Sequence, residues 1–540
     1  MIKNYKGLFL ASLTIFAACS DDDTVATVPD EPITAGSADF SKYVSVGNSL
    51  TAGFSDNALF KAGQLNSYPN ILASQFTLVG GGEFKLPLLG DDNNGGLTLA
   101  GTPIQGLRYA IQGFNTCPSV TPIIGPIPGV PTNEIGVPLT GQFNNMGVPG
   151  AKVFHLLAPG YGNAAGVLTG QANPYFVRFA SSPTTSVIAD AVAQNPTFFS
   201  LWIGNNDVLS YSTSGGTGLN QVGNMNPATY GSNDLTDPTV FGGAYNQLVT
   251  ALTANGAKGV VANIPYVYTI PFFTTVPANP LTSALIGGCS EQPDGTTAPN
   301  IPVGDATIDQ LNTLLYGPLK TALTAFGAGD RIELLSKTSA NGLLIKDESL
   351  PNLSAQLTAA FTPSLGAATA AFYGQVYGQA RQAKKTSSVA TTDYILLTTQ
   401  GVIGTNAPSI PAPVNVYGIT YPLQDQHVLV PSEVAEIQTA TDQFNLAIKA
   451  AADAHGLAFM DANALLQQLR STGIRANGLQ LGAAYVSGGA FSLDGVHPGA
   501  RGYALIANKF LEAINATYGS NFKGVDLNNY PSQYPATPLN

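Results

Sequence analysis

Between Thr197 and Ile203 the chain reads Thr-Phe-Phe-Ser-Leu-Trp-Ile, and between Gly259 and Ile264 it reads Gly-Val-Val-Ala-Asn-Ile. Runs this short and this continuously apolar predict strands covered on both faces, as in a parallel sheet. Three more short β-type runs, Tyr43–Val46, Gln142–Met146 and Leu457–Met460, bring the predicted strands to five. Helical periodicity lies between them. Val434, Ile437, Phe444 and Ile448 fall on one helical face, with Pro431 and Ser432 marking the start and His455-Gly456 the end. Tyr503, Ile506, Phe510 and Ile514 make a second stripe. Strands alternating with helices predict an α/β layered domain around a parallel sheet.

The pattern breaks between about residues 266 and 425. Pro- and Gly-rich stretches, the helix-like segments Ile308–Phe326 and Ala355–Gln382, and one apolar run, Tyr394–Thr398, lie there. This reads as an insertion or cap on the core. Gly80–Gly141 is a second irregular stretch. With 540 residues, 44% hydrophobic and 10% charged, the chain is too apolar for disorder and long enough for a large core. The formal charge of −11, with no basic run or basic–aromatic patch, argues against nucleic acid as a partner. It also makes electrostatic binding to anionic lipid unfavourable, so membrane attachment would be covalent or hydrophobic.

Such an attachment is written at the N-terminus. Lys3 and Lys6 precede an apolar run, Gly7–Ala18, too short to span a bilayer, as in a secretory signal. Phe16-Ala17-Ala18-Cys19 resembles a bacterial lipobox, which implies cleavage before Cys19 and its lipidation. The acidic run after it resembles tags that carry some lipoproteins to the cell surface. The expected organisation is a signal peptide over 1–18, a tether over 19–38, a main domain over 39–520 with its insertion at about 266–425, and a C-terminal arm over 521–540. The expected location is the outer membrane of a Gram-negative-type bacterium, with the cell surface as the alternative. Cys117 and Cys289 can pair in an oxidising compartment or stay as buried thiols.

Four segments carry chemistry. Tyr43–Val46 leads into Gly47-Asn48-Ser49-Leu50, which places a serine just past a strand end, where ligands of open α/β sheets bind. A serine hydroxyl needs a base to become a nucleophile. Among four histidines, His497 stands three residues after Asp494 in a loop bounded by Gly and Pro, so the carboxylate can fold back onto the ring Nδ1–H. Gly150, in Asn144–Lys152, can offer a backbone N–H to an oxyanion; Gly147 is the nearby alternative. Asn206, in Gly204-Asn205-Asn206-Asp207 after the third strand, can offer a side-chain amide. His155, His427 and His455 read as local structure, and Trp202 as core. No G-x-S-x-G, H-E-x-x-H, P-loop or dinucleotide-binding motif is present.

In this order, "GNSL", "GVPG", "GNND" and "DGVH" resemble the four blocks of the SGNH (GDSL-type) serine hydrolases. "SYPNILA" (67–73) and "GAKGVVANIPYVYTIP" (256–271) are similar to further segments of that family. The resemblance covers about 40–265 and 425–515. It implies a three-layer α/β/α, flavodoxin-like fold with a central five-stranded parallel sheet and no cofactor or metal. It implies a triad of Ser49, His497 and Asp494, and an oxyanion hole from the N–H groups of Ser49 and Gly150 and the amide of Asn206. Asn48 stands where the family usually has Asp. The implied activity is a serine esterase or lipase acting on lipid, short acyl ester or acylated glycan, the insertion suiting a lid or acyl pocket. A carbohydrate O-deacetylase of the same fold and a non-catalytic surface binding protein are the alternatives.

Overall fold

The structure is a computed structural model and describes residues 31–90 and 93–536. Five strands form the centre: β1 (Tyr43–Gly47), β2 (Asn145–Gly147), β3 (Phe198–Trp202), β4 (Lys258–Ala262) and β5 (Ala458–Met460). All pair in parallel, in the spatial order β2-β1-β3-β4-β5. Ser45 of β1 lies between Asn145 and Ser200. The chain runs outward from β1 to β2, then returns to the other side of β1, so the strand order reverses beside β1. The five predicted strands are therefore present. β2 begins at Asn145, later than Gln142, and the backbone N–H groups of Asn144 and Asn145 both donate to the carbonyl of Lys85.

Helices cover both faces, as buried parallel strands require. In chain order these are α1 (Ser49–Ala52), α2 (Tyr68–Phe76), α3 (Asn206–Thr213), α4 (Pro238–Thr253), α5 (Pro431–Ala454), α6 (Ala462–Ser471) and α7 (Ala500–Tyr518). On one face Val44 and Val46 pack with Leu248 of α4 and Ile437 and Phe444 of α5. Phe241 stacks on Phe444 with ring centroids 4.0 Å apart. On the other, Tyr43, Phe198 and Trp202 pack with Tyr68 and Phe76 of α2 and Tyr503 and Phe510 of α7. The two predicted stripes are the buried faces of α5 and α7. No helix among the described residues is long and apolar enough to cross a membrane.

The irregular regions hold more order than their sequence suggests. Helices Ile301–Leu311, Gly317–Ala325, Ser354–Leu365 and Ala367–Tyr377 close around Ile308, Leu319, Leu323, Leu357 and Phe361, giving the insertion a core of its own. Its apolar run supplies a two-residue strand, Tyr394–Ile395, against Val428–Leu429 just ahead of α5. Between 80 and 141 lie two small hairpins, one of them pairing Tyr109–Asn115 with Thr121–Pro126. Gly and Pro inside these strands mask their alternation. Cys117, at the tip of that hairpin, is disulfide-bonded to Cys289 of the insertion.

The signal peptide and Cys19 lie outside the described residues. The last part of the expected tether is docked, not loose. Ala38 is buried, Ile33 and Ala35 pack against the α7 side, and Ser37 donates its N–H to the carbonyl of Tyr518. The Tyr518 hydroxyl in turn donates to Gly259 at the start of β4, so the chain enters at the amino edge of the sheet. The described part of the C-terminal arm, 521–536, is also packed, with Phe522 and Leu527 buried and the Asn66 amide donating to the Tyr534 hydroxyl.

Candidate active site

β1 ends at Gly47, where a Cβ would lie 2.2 Å from the Thr51 hydroxyl and 2.3 Å from the Trp202 carbonyl oxygen. Only glycine lets the strands stay this close while the chain turns into α1. Asn48 caps that single turn, its Oδ1 accepting from the Leu50 N–H at 3.0 Å. Its Nδ2 donates to Oδ1 of Asn205 at 3.1 Å. Asn48 thus ties the serine turn to the Gly204–Asp207 segment, and its amide serves both bonds. Ser49 is the first residue of α1, so its N–H has no partner within the helix.

The Ser49 hydroxyl lies 2.8 Å from Nε2 of His497, and His497 Nδ1 lies 2.8 Å from Oδ2 of Asp494. The carboxylate fixes Nδ1 as the protonated nitrogen, which leaves Nε2 to accept from Ser49. Asp494 is held from every side. Oδ1 accepts the N–H groups of Val496 and His497, each at 2.8 Å, and the Ser492 hydroxyl at 2.9 Å. Oδ2 also accepts the Asn57 N–H at 3.0 Å. Burial alone would raise its carboxyl, but His497 and these backbone donors outweigh it and pull the pKa down to about 2. Asp494 therefore stays ionised over the working pH range, and Phe54 flanks the imidazole at 4.6 Å between centroids.

A clamp that the sequence reading missed holds this loop. The Ser55 hydroxyl donates to the Pro498 carbonyl at 2.6 Å, the Asp56 N–H to the Ser492 hydroxyl at 3.0 Å, and the Leu493 N–H to Asp56 Oδ1 at 2.8 Å. Burial pushes the Asp56 carboxyl up to about 7; Asp494 adds to the rise, while Leu493 and Arg108 oppose it. Its Oδ2 and the Nη1 of Arg108 are both buried without a protein partner among the described residues. Asp56 and Asn57 adopt φ of 50° and 64° here, the left-handed region in which Asp and Asn are enriched.

On the opposite side, Asn206 opens α3 and its Nδ2 donates to the Ala151 carbonyl at 2.9 Å. That bond sets its amide beside Gly150, which adopts φ of 82°. The two candidate glycines separate clearly. The Gly147 N–H is spent on Oδ1 of Asn145 at 2.9 Å, whereas no acceptor among the described residues takes that of Gly150. Asp207 anchors the same segment by accepting the Val153 N–H at 2.9 Å, and Asn173 Nδ2 donates to the Pro149 carbonyl at 2.8 Å.

Ser49, Asn206 and His497 open onto a cavity of about 90 Å³. Its walls are otherwise almost entirely apolar and come from α6, α7, Trp202 and the end of the His497 loop. Of the insertion only Val267 and Ile270 reach it, so this cavity is built mainly by core helices and not by the insertion. Trp202 belongs to the core as expected, its Nε1 donating to the Asn263 carbonyl at 3.1 Å, and also borders this cavity. The other histidines serve local structure. His155 Nδ1 accepts from Lys152 N–H and His427 Nδ1 from Gln424 N–H, each at 3.1 Å, and His455 caps α5. No family model, curated protein or solved structure matches the chain.

Proposed function

We propose that the protein is a serine ester hydrolase of the SGNH type. The observation that carries the proposal is the unbroken line Ser49 Oγ–His497 Nε2, His497 Nδ1–Asp494 Oδ2, set past the carboxyl end of β1 where the strand order reverses. Ser49 Oγ bonds to the ester carbonyl carbon as His497 Nε2 takes its proton, and the carbonyl π electrons pass to oxygen. The N–H groups of Ser49 and Gly150 and the Asn206 amide receive that oxyanion. Collapse breaks the bond to the alkoxy oxygen, which leaves with the proton from His497. Water, deprotonated by His497, then cleaves the acyl-serine and restores Ser49. Asp494 holds the imidazole in orientation and stabilises its charged form without taking the proton. No cofactor enters this chemistry.

The lipobox at Cys19 supports an exported protein held to the outer membrane by lipid. Hydrolysis of p-nitrophenyl butyrate by the purified protein tests the reading. Turnover that disappears in Ser49→Ala is expected; a folded Ser49→Ala protein with undiminished turnover overturns it.

A further inference from the structure

We propose that the cleft between α6 and α7 is an acyl-chain site, so that the preferred substrates are esters of apolar acids long enough to fill it. This rests on the hydrolase reading for its chemistry, but the cleft is a separate observation.

Leu465, Leu466 and Leu469 recur on one face of α6, and Leu505 and Ile506 face the same cavity from α7. Depth follows from helix geometry. His497 and Pro498 stand just ahead of α7, at the catalytic end, and Ile506 comes six residues after Ala500, the first residue of α7. At 1.5 Å per residue the cleft follows α7 for roughly 9 Å. A water requires only roughly 10–15 Å³, far less than the 90 Å³ present. Water also needs polar partners, and these stand only at the mouth, as Ser49, Asn205, Asn206 and His497. Well-packed interiors keep few voids above water size. An apolar void of this size, open at one end onto a nucleophile, fits a flexible hydrocarbon chain whose carbonyl stays at the rim. A sugar ring would leave its hydroxyls unpaired against these walls. An acetyl group would leave the cleft largely empty.

The experiment is a p-nitrophenyl ester series, from acetate through butyrate and octanoate to palmitate, on the full-length protein. Each added methylene buried in the cleft is expected to raise kcat/KM by roughly fourfold until the chain reaches Ile506. Leu469→Phe narrows the deep end and is expected to lower the octanoate-to-butyrate ratio by at least about tenfold. Ile506→Ala, which lengthens the cleft, is expected to move the optimum to longer chains and keeps the test open if Leu469→Phe does not fold. Ser49-dependent turnover with no gain from chain length, or turnover confined to acetylated sugars, overturns the acyl site and leaves the hydrolase reading standing. If no ester is turned over, octanoate binding to the wild-type and Leu469→Phe proteins is followed by calorimetry. Binding that Leu469→Phe weakens supports the cleft while the hydrolase reading falls; no binding overturns the cleft as well.

Discussion

Arg381, inside the insertion, has every guanidinium nitrogen engaged. Nε donates to Asp347 at 2.6 Å, and Nη1 and Nη2 donate to the two oxygens of Asp393, also at 2.6 Å. Asp347 is further bonded by the Ser349 N–H and Asp393 by the Lys384 N–H. At the carboxyl edge of the sheet the buried polar groups are satisfied only in part. Asp494 is saturated, yet the N–H groups of Ser49 and Gly150 and one amide hydrogen of Asn206 point to no partner among the described residues. Both regions bury charge. A closed network such as that of Arg381 holds structure together, whereas an array with donors left over beside a cavity is prepared for something that arrives.

Breaking each region should show that difference. Ser49→Ala or His497→Ala is expected to lower kcat by roughly 10⁴–10⁶-fold, with thermal stability close to wild type; steady-state kinetics and a melt on the same sample check both. Arg381→Ala leaves two buried carboxylates uncompensated and is expected to cost about 3–5 kcal/mol. Because the insertion has its own core, the loss should emerge as an earlier transition in calorimetry, with per-molecule turnover of the still-folded protein little changed. Asn206→Ala removes one donor of the proposed oxyanion hole and is expected to lower kcat by roughly 10²–10³-fold with little change in KM.

The smallest effect concerns Asp56. Its folded pKa of about 7 stands above the ordinary 3.8, so the native protein keeps a proton that the unfolded chain releases. Stability contributed by Asp56 is complete below the ordinary value and falls as pH rises toward 7. Denaturant titrations of Asp56→Asn against wild type should lose that decline. Asp494 has the opposite sign: its contribution is present above 3.8 and disappears as pH falls toward 2.

The sheet and the Ser49–His497–Asp494 contacts were legible because their signals are local or ordered along the chain. Apolar runs marked the strands, and Ser49, Gly150, Asn206, Asp494 and His497 lay in short blocks. The Ser55–Asn57 clamp was not legible, since it acts through backbone groups and residues more than four hundred positions away. The insertion's core escaped because Gly and Pro interrupt its helical pattern, as at Gly366 between two helices and Pro363 within one. The source of the cleft was misplaced for a related reason. The leucines of α6 recur at the spacing of any buried helix face, and nothing in that spacing shows that the face opposite them is incompletely filled.

The docking of Ser37 against Tyr518 fixes where a leash would pull. Ile33 comes fourteen positions after Cys19, and a chain of that length spans at most roughly 50 Å. A lipid at Cys19 would hold the molecule by the amino edge of its sheet, while Ser49 and the cleft mouth face the opposite edge. On the proposed reading, an anchor at the amino edge would point the cleft mouth away from the membrane that holds the molecule.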